Sequence, residues 1–347
     1  MVSPVQTSAP APEKTLPSPE EAARKAEVTN QLKHLQAPTL GNDLVSLGMV
    51  RNLRVVGDYV YLRLYVGAHQ LVLEHQVQQS LSELPWVKKV YVQVCTIPGV
   101  RTTLAIASGK GGVGKSTTAV QLAIALTRTG AKVGLLDADI YGPNVPQLLG
   151  LGQAQVEVVE TPNGQRFVPL EVHGIKLMSV GLLAEPDHPL AWRGPVLHKI
   201  LTQFIQQVAW GELDYLLVDL PPGTGDAQIT LVQESPICGV IMVTTPHAIA
   251  LADLRRSIHM FHQVGVPVLG LIENMSYLAC PCCDTRTPIF GSGGGTQIAA
   301  ELSVPLWGQV PIDPSLSTAG EKGLDSDSLL QGIFDPIAQG LNGTFGD

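Results

Sequence analysis

Basic residues and long apolar runs are both scarce in this sequence. Lys and Arg number 22 against 30 Asp and Glu, a formal charge of −8. No broad electropositive surface is therefore expected to neutralise a nucleic-acid backbone or an anionic bilayer, and neither is an expected partner. No apolar stretch reaches the roughly 20 residues needed to cross a membrane, and the N-terminus is polar and proline-rich where a secretory signal needs an apolar segment. A cytoplasmic protein is expected. Cysteine is sparse too: there are five, with three at positions 280, 282 and 283. An odd, clustered set does not suit the paired disulfides of a secreted domain and points to metal or redox chemistry in a reducing compartment.

The 347 residues, 45 % of them hydrophobic, suit two unequal domains. Residues 1–18 carry prolines at 4, 10, 12 and 17 among Ser, Ala and Thr; that composition cannot bury a core and reads as a disordered tail. Ser18-Pro19-Glu20-Glu21 then offers a capping box with proline at the first helical position, starting a helix that runs toward Leu35. Two β-rich stretches flank Gly57-Asp58, a helical stretch covers 71–84 and a strand covers 87–94. The order α-β-β-α-β describes a small α/β domain over residues 19–94. Pro98 and Gly99 break the pattern, so 95–101 reads as a linker. Over 102–347, short apolar runs at 104–107, 133–136, 216–218, 239–243 and 268–272 alternate with longer helical segments. Strands apolar on both faces and separated by helices predict an α/β fold, a mostly parallel sheet covered by helices on both faces.

The run Gly109-Lys110-Gly111-Gly112-Val113-Gly114-Lys115-Ser116-Thr117 fits G-x-x-x-x-G-K-S. It lies between an apolar strand at 104–108 and a helix at 117–127, the context that identifies a P-loop NTPase. Glycines let the backbone wrap tightly enough to aim successive N–H groups and a helix N-terminus at the phosphates of ATP. Lys115 is placed to reach the β- and γ-phosphates and Ser116 to coordinate Mg²⁺. Two further acidic motifs, Leu136-Asp137-Ala138-Asp139 and Val218-Asp219-Leu220-Pro221-Pro222-Gly223, follow apolar strands. At the carboxyl edge of a parallel sheet such acids face the ligand crevice.

Cys280-Pro281-Cys282-Cys283 holds Cys280 and Cys283 at C-x-x-C spacing, which lets two thiolates converge on one metal. No second such pair exists, and Cys95 and Cys238 stand alone, so one chain carries half a site. A twofold homodimer would bring two copies together and supply four thiolates. A bridging 4Fe-4S cluster, a bridging zinc, a redox dithiol and inert free thiols all fit the spacing. His69, His247, His259 and His262 show no metal-site spacing, and Arg255-Arg256 reads as a solvated helix face.

The second lysine of the loop, Lys110, makes the sequence resemble the deviant Walker A ATPases, which include nitrogenase iron proteins, division-site and partition ATPases and Mrp-type carriers. That resemblance implies that Lys110 reaches across a dimer to the partner's nucleotide and that Asp139 orients the attacking water. It further implies that Asp137 supports the Mg²⁺ site, that Asp219 holds Mg²⁺ through water, and that Asn274 and Val310-Pro311-Ile312 contact adenine. Met178-Ser179-Val180-Gly181, Trp192-Arg193-Gly194-Pro195, Glu273-Asn274-Met275-Ser276-Tyr277 and Ile289-Phe290-Gly291-Ser292-Gly293-Gly294-Gly295 narrow the likeness. From about residue 28 onward the chain resembles the Mrp/ApbC-type iron-sulfur cluster carriers. Such a carrier is an ATPase that holds a 4Fe-4S cluster between two subunits, here through Cys280 and Cys283, and passes it to apo iron-sulfur proteins.

The front segment Leu40-Gly41-Asn42-Asp43-Leu44 resembles the small domain often fused to such carriers. The family's acidic D-P-E and Cys-Pro signatures are replaced here by Ala37-Pro38-Thr39 and Gly67-Ala68-His69-Gln70, so no thiol chemistry is carried over to it. The alternatives are a positioning or partition ATPase and a metabolic P-loop enzyme. The first commonly uses a basic surface or an amphipathic C-terminal membrane helix, whereas 329–347 contains no Lys or Arg, and it leaves the cysteines unexplained. For the second, no pocket for a specific small substrate is legible.

Overall fold

The computed structural model describes residues 18–37, 43–67, 72–140, 142–152, 154–161, 164–183, 203–205, 207–280, 282–283, 285–313 and 330–345. Residues 1–17 of the tail expected over 1–18, His69, and the Trp192-Arg193-Gly194-Pro195 segment lie outside these residues, whereas Ser18 is the N-cap of the first helix.

Helix α1 (Pro19–Leu32) begins as the capping box requires: Ser18 Oγ accepts from Glu21 N at 3.2 Å, and Glu21 Oε2 accepts from Ser18 N at 3.0 Å. It stops short of Leu35, whose carbonyl accepts from Leu44 N instead. Strands β1 (Val50–Val56) and β2 (Tyr59–Tyr65) form an antiparallel hairpin around Gly57-Asp58. Helix α2 (Val72–Ser82) returns the chain to β3 (Lys89–Cys95), which pairs parallel with β2. Val28, Leu32, Leu62, Leu64, Leu73, Val77 and Leu81 are fully or almost fully buried between the helices and this sheet, a core separate from the rest of the chain.

Strand β4 (Val100–Ser108) opens the large sheet inside the stretch expected as linker, so only 96–99 connect the two sheets. The pairing Tyr65↔Cys95 extends β3, and the pairing Val100↔Leu213 starts β4 early. Next come α3 (Lys115–Arg128), β5 (Val133–Asp137), the short α4 (Val145–Leu148), a β6–β7 hairpin (Glu157–Thr161, Gly164–Val168), β8 (Leu170–Val172) and β9 (Ile175–Ser179). Then follow β10 (Leu213–Asp219), α5 (Asp226–Glu234), β11 (Gly239–Thr244), α6 (Ala248–Gln263) and β12 (Val268–Glu273). The chain ends with β13 (Leu278–Ala279), β14 (Arg286–Thr287), α7 (Gly294–Glu301), β15 (Leu306–Gln309) and α8 (Gln331–Phe345).

The large sheet has the order β15-β12-β11-β4-β10-β5-β9-β8, and only the edge strand β8 pairs antiparallel. Its strands are apolar on both faces: Ala105, Leu216, Val218, Val240 and Met242 point into one core, and Leu104, Ile106, Leu217, Ile241 and Val243 into the other. Helix α8 closes the second core with Phe334, Ile337 and Leu341 against α3, so the C-terminal segment is a packed helix. No described helix is long and apolar enough to cross a membrane.

The small domain sits on the C-terminal end of α5. Buried Arg51 donates from Nη1 to Val232 O at 2.8 Å, from Nη2 to Ile237 O, and from Nε to Gly48 O at 3.0 Å. Tyr65 stacks under this guanidinium at 4.2 Å and donates its hydroxyl to Gln233 O at 2.5 Å.

Candidate functional site

Three adjacent strands bring the acidic motifs and the glycine loop together. β10 lies between β4 and β5, with Asp219 in register with both Ile106 and Asp137. The loop after β4 therefore faces two carboxylates at the carboxyl edge of the sheet, where the chain switches direction and a ligand crevice forms.

Gly114 occupies the residue before α3 with φ of 81°, and a Cβ there would stand 2.1 Å from Asn274 Nδ2. Only glycine meets both conditions. No side chain caps α3 at this end, which leaves its first N–H groups for an anion. Lys115 Nζ lies 2.7 Å from Asp219 Oδ1 and 3.5 Å from Asp139 Oδ2, and Ser116 Oγ donates to Asp219 Oδ2 at 2.6 Å. Asp139 Oδ1 is buried with no hydrogen-bond partner, a free acceptor on the carboxylate that faces Lys115. Lys110 has no ion-pair partner among the described residues; Gly111 and Gly112 are exposed beside it, and Val113 is buried. Thr117 is half-buried on the first turn of α3.

Asp137 and Asp219 are both fully buried. Desolvation, with the neighbouring Asp219 charge second, pushes the Asp137 carboxyl up to about 8. Ser179 Oγ at 2.8 Å and the backbone N–H groups of Asp139 at 3.1 Å and Val145 at 3.3 Å satisfy its oxygens. Burial also raises Asp219, against the opposing pull of Lys115 and Ser116. Two adjacent buried acids and a lysine suit a cation and a polyanion together. A divalent metal ion would relieve the acids, and phosphates would draw Lys115 away from them. The donor set thus fits Mg²⁺ with a nucleotide.

Asn274 follows β12 and donates from Nδ2 to Val113 O at 2.9 Å, which joins it to the glycine loop. Pro311 lies on 310–312, a segment bonded to 273–278 through Val310 N to Glu273 O, Ser276 N to Val310 O and Ile312 N to Tyr277 O.

The cysteines occupy the tip of the β13–β14 hairpin. Cys280 N donates to Thr285 O at 3.0 Å; Cys280 is half-buried, and Cys282 and Cys283 are exposed. Hydrogen bonds from the Thr285 hydroxyl and backbone, and from Cys280, hold the Cys283 thiol below its usual range. Among the described residues, no group of three or more His, Cys, Asp or Glu is placed to hold a metal within one chain. Cys238 lies away from this cluster, and burial pushes its thiol up. His247 caps α6 through Nδ1, and Arg255 pairs with Glu301, which leaves both in structural roles.

Glu273 went unremarked in the sequence except as part of a resembling segment. It is a buried carboxylate at the end of β12, immediately before Asn274, and no local pattern distinguishes it from an exposed strand-end acid.

Residues 99–341 match the family described as NUBPL iron-transfer P-loop NTPase, and residues 25–94 match the family described as iron-sulfur cluster assembly protein. The chain is 46 % identical over 315 residues to an iron-sulfur cluster carrier protein of Synechocystis, covering 86 % of this chain and 89 % of the relative. A nucleotide-binding protein from Archaeoglobus fulgidus, solved with ADP, is 37 % identical with a TM-score of 0.58, over 67 % of this chain and 90 % of that one. The septum site-determining protein MinD of Pyrococcus horikoshii shares the fold, with a TM-score of 0.50 at 20 % identity over 70 % of this chain and 96 % of that one. With a glycine loop facing buried acids, a cysteine hairpin on the segment that follows Asn274 and these matches along most of its length, the chain belongs to the NUBPL iron-transfer P-loop NTPase family.

Proposed function

We propose that this protein is an ATP-dependent iron-sulfur cluster carrier that works as a homodimer, holds a 4Fe-4S cluster between subunits through Cys280 and Cys283, and delivers it to apo iron-sulfur proteins. The observation that carries this reading is the cysteine pair itself. It stands at a hairpin tip, with Cys283 exposed and poised toward thiolate, and Cys280 six residues beyond an asparagine bonded to the glycine loop. Two thiolates per chain leave a cluster half-ligated, and a second copy completes the four ligands. The relatives' printed names, iron-sulfur cluster carrier protein, support the cargo.

In this reading the backbone of residues 109–114 and Thr117 cradles the phosphates, and Lys115 leaves Asp219 for the β- and γ-phosphates. Ser116, Asp137 and Asp219 would hold Mg²⁺, which would supply charge neutralisation at the phosphates. Asp139 Oδ1 accepts a hydrogen bond from the attacking water and orients it toward the γ-phosphorus. Lys110 reaches the nucleotide of the second copy, so hydrolysis and subunit separation share one contact. Asn274 and Pro311 flank the adenine.

Anaerobic reconstitution with iron and sulfide tests the cargo. Wild type is expected to bind one 4Fe-4S cluster per dimer and transfer it to an apo-acceptor, and Cys280→Ala/Cys283→Ala to bind none. Equal iron and sulfide in the two proteins would end the carrier reading.

A further inference from the structure

Glu273 ends β12 with 1 % of its surface exposed. A carboxylate so buried needs donors on both oxygens, and these come from three separate places. Oε1 accepts from Ser276 Oγ at 2.9 Å and from Gln309 Nε2 at 2.8 Å, and Oε2 accepts from Gly295 N at 2.6 Å. The contact with Gly295 is close enough that a Cβ there would stand 2.5 Å from Oε2. Glu273 thus ties the strand that delivers Asn274 to the first turn of α7 and to β15.

The residues around Glu273 reach both the nucleotide side and the cysteine side. Asn274, the next residue, donates to Val113 O in the glycine loop. Ser276 begins the run into the cysteine hairpin, and its N–H bonds Val310 O. Val310 N returns to Glu273 O, and Ile312 bridges Leu278 on β13, two residues before Cys280. The segment 273–279 is therefore held on one side by 310–312 and at its root by the carboxylate. Asn274 and β13 are thus joined by three residues, two of which, Ser276 and Tyr277, are bonded to 310–312.

We propose that Glu273 is the positioning residue that couples nucleotide occupancy at the glycine loop to the presentation of Cys280 and Cys283. This rests on the carrier reading only for its purpose; the coupling itself is a property of the chain. Glu273 touches neither phosphate nor cargo and acts through Asn274 on one side and the hairpin on the other.

Iodoacetamide alkylation of Cys280 and Cys283, followed by peptide mass spectrometry on the full-length apo-protein with and without saturating Mg²⁺ and ADP, reads the coupling without any cluster. In wild type, nucleotide is expected to change the alkylation rate by about fivefold or more. Glu273→Gln keeps the shape but places an NH₂ where an acceptor is needed. It is expected to bring that ratio to one, with ADP affinity held within about threefold of wild type. Ser276→Ala and Gln309→Leu each remove one donor and are expected to reduce the ratio partly, which keeps the test informative if Glu273→Gln folds poorly. A wild-type rate that ignores nucleotide overturns the proposal, as does a full nucleotide response in Glu273→Gln or in both donor variants. If the coupling holds while reconstitution fails, the carrier reading falls and the coupling stands.

Discussion

At the scale of single residues, the chemistry of the site is set by how little water reaches its acids. Asp137 keeps its proton up to about 8 in the folded chain, against an ordinary value of 3.8. The folded state therefore holds a proton that the unfolded chain releases across that interval. This residue's contribution to stability is fully present below about pH 4, declines as pH rises, and is gone above about pH 8, with a slope of up to ~1.4 kcal/mol per pH unit. Asp137→Asn removes the slope. Melting temperatures of the ligand-free proteins between pH 5.5 and 8.5 are expected to diverge with pH in favour of the variant, and a constant gap would mean that Asp137 is ionised throughout. On the proposal that Asp137 helps to hold Mg²⁺, adding Mg²⁺ with nucleotide should reverse the ranking, because an amide binds a divalent cation poorly.

At the scale of elements, the parts legible in the sequence are those written locally. The glycine loop, the strand before it and the helix after it fall within thirty consecutive residues, and the capping box of α1 within four. The edge strand β8 and the β6–β7 hairpin are short and half-exposed, so no apolar run signals them. Helix α8 hides for another reason: Pro336 and three glycines interrupt it, and these read as loop signals in isolation. Packing overrides them, since Phe334 is buried in the core beneath α3. Phe334→Ala is expected to destabilise the large domain by about 3 kcal/mol, read as a lowered urea midpoint with unchanged slope. An effect under about 0.5 kcal/mol would identify α8 as a dispensable tail. The carboxylate hub of Glu273 escapes the sequence for the same reason in sharper form, because its partners lie 3, 22 and 36 residues away.

At the scale of the whole molecule, the least legible feature is how the two sheets are joined, because Arg51 bonds carbonyls 181 and 186 residues away. Val232 lies in the last turn of α5 and Ile237 three residues past its end; the helix begins just after the Pro221-Pro222-Gly223-Thr224-Gly225 loop following Asp219. A buried cation at a helix C-terminus completes acceptors that would otherwise be orphaned and meets the negative end of the helix dipole. Arg51→Met fills similar volume and leaves those carbonyls unpaired, a loss of about 3 kcal/mol concentrated at one contact. The small domain's core shares no buried residue with the two cores of the large sheet, so each domain should remain folded while their docking fails. Limited proteolysis is expected to cleave the variant within 96–99 at least about tenfold faster than wild type, as a docking loss of that size would allow. Circular dichroism should be unchanged, and X-ray scattering should show a larger radius of gyration. If cleavage and scattering both match wild type, 96–99 and the remaining contacts, including the Tyr65 hydroxyl on Gln233, hold the domains without Arg51.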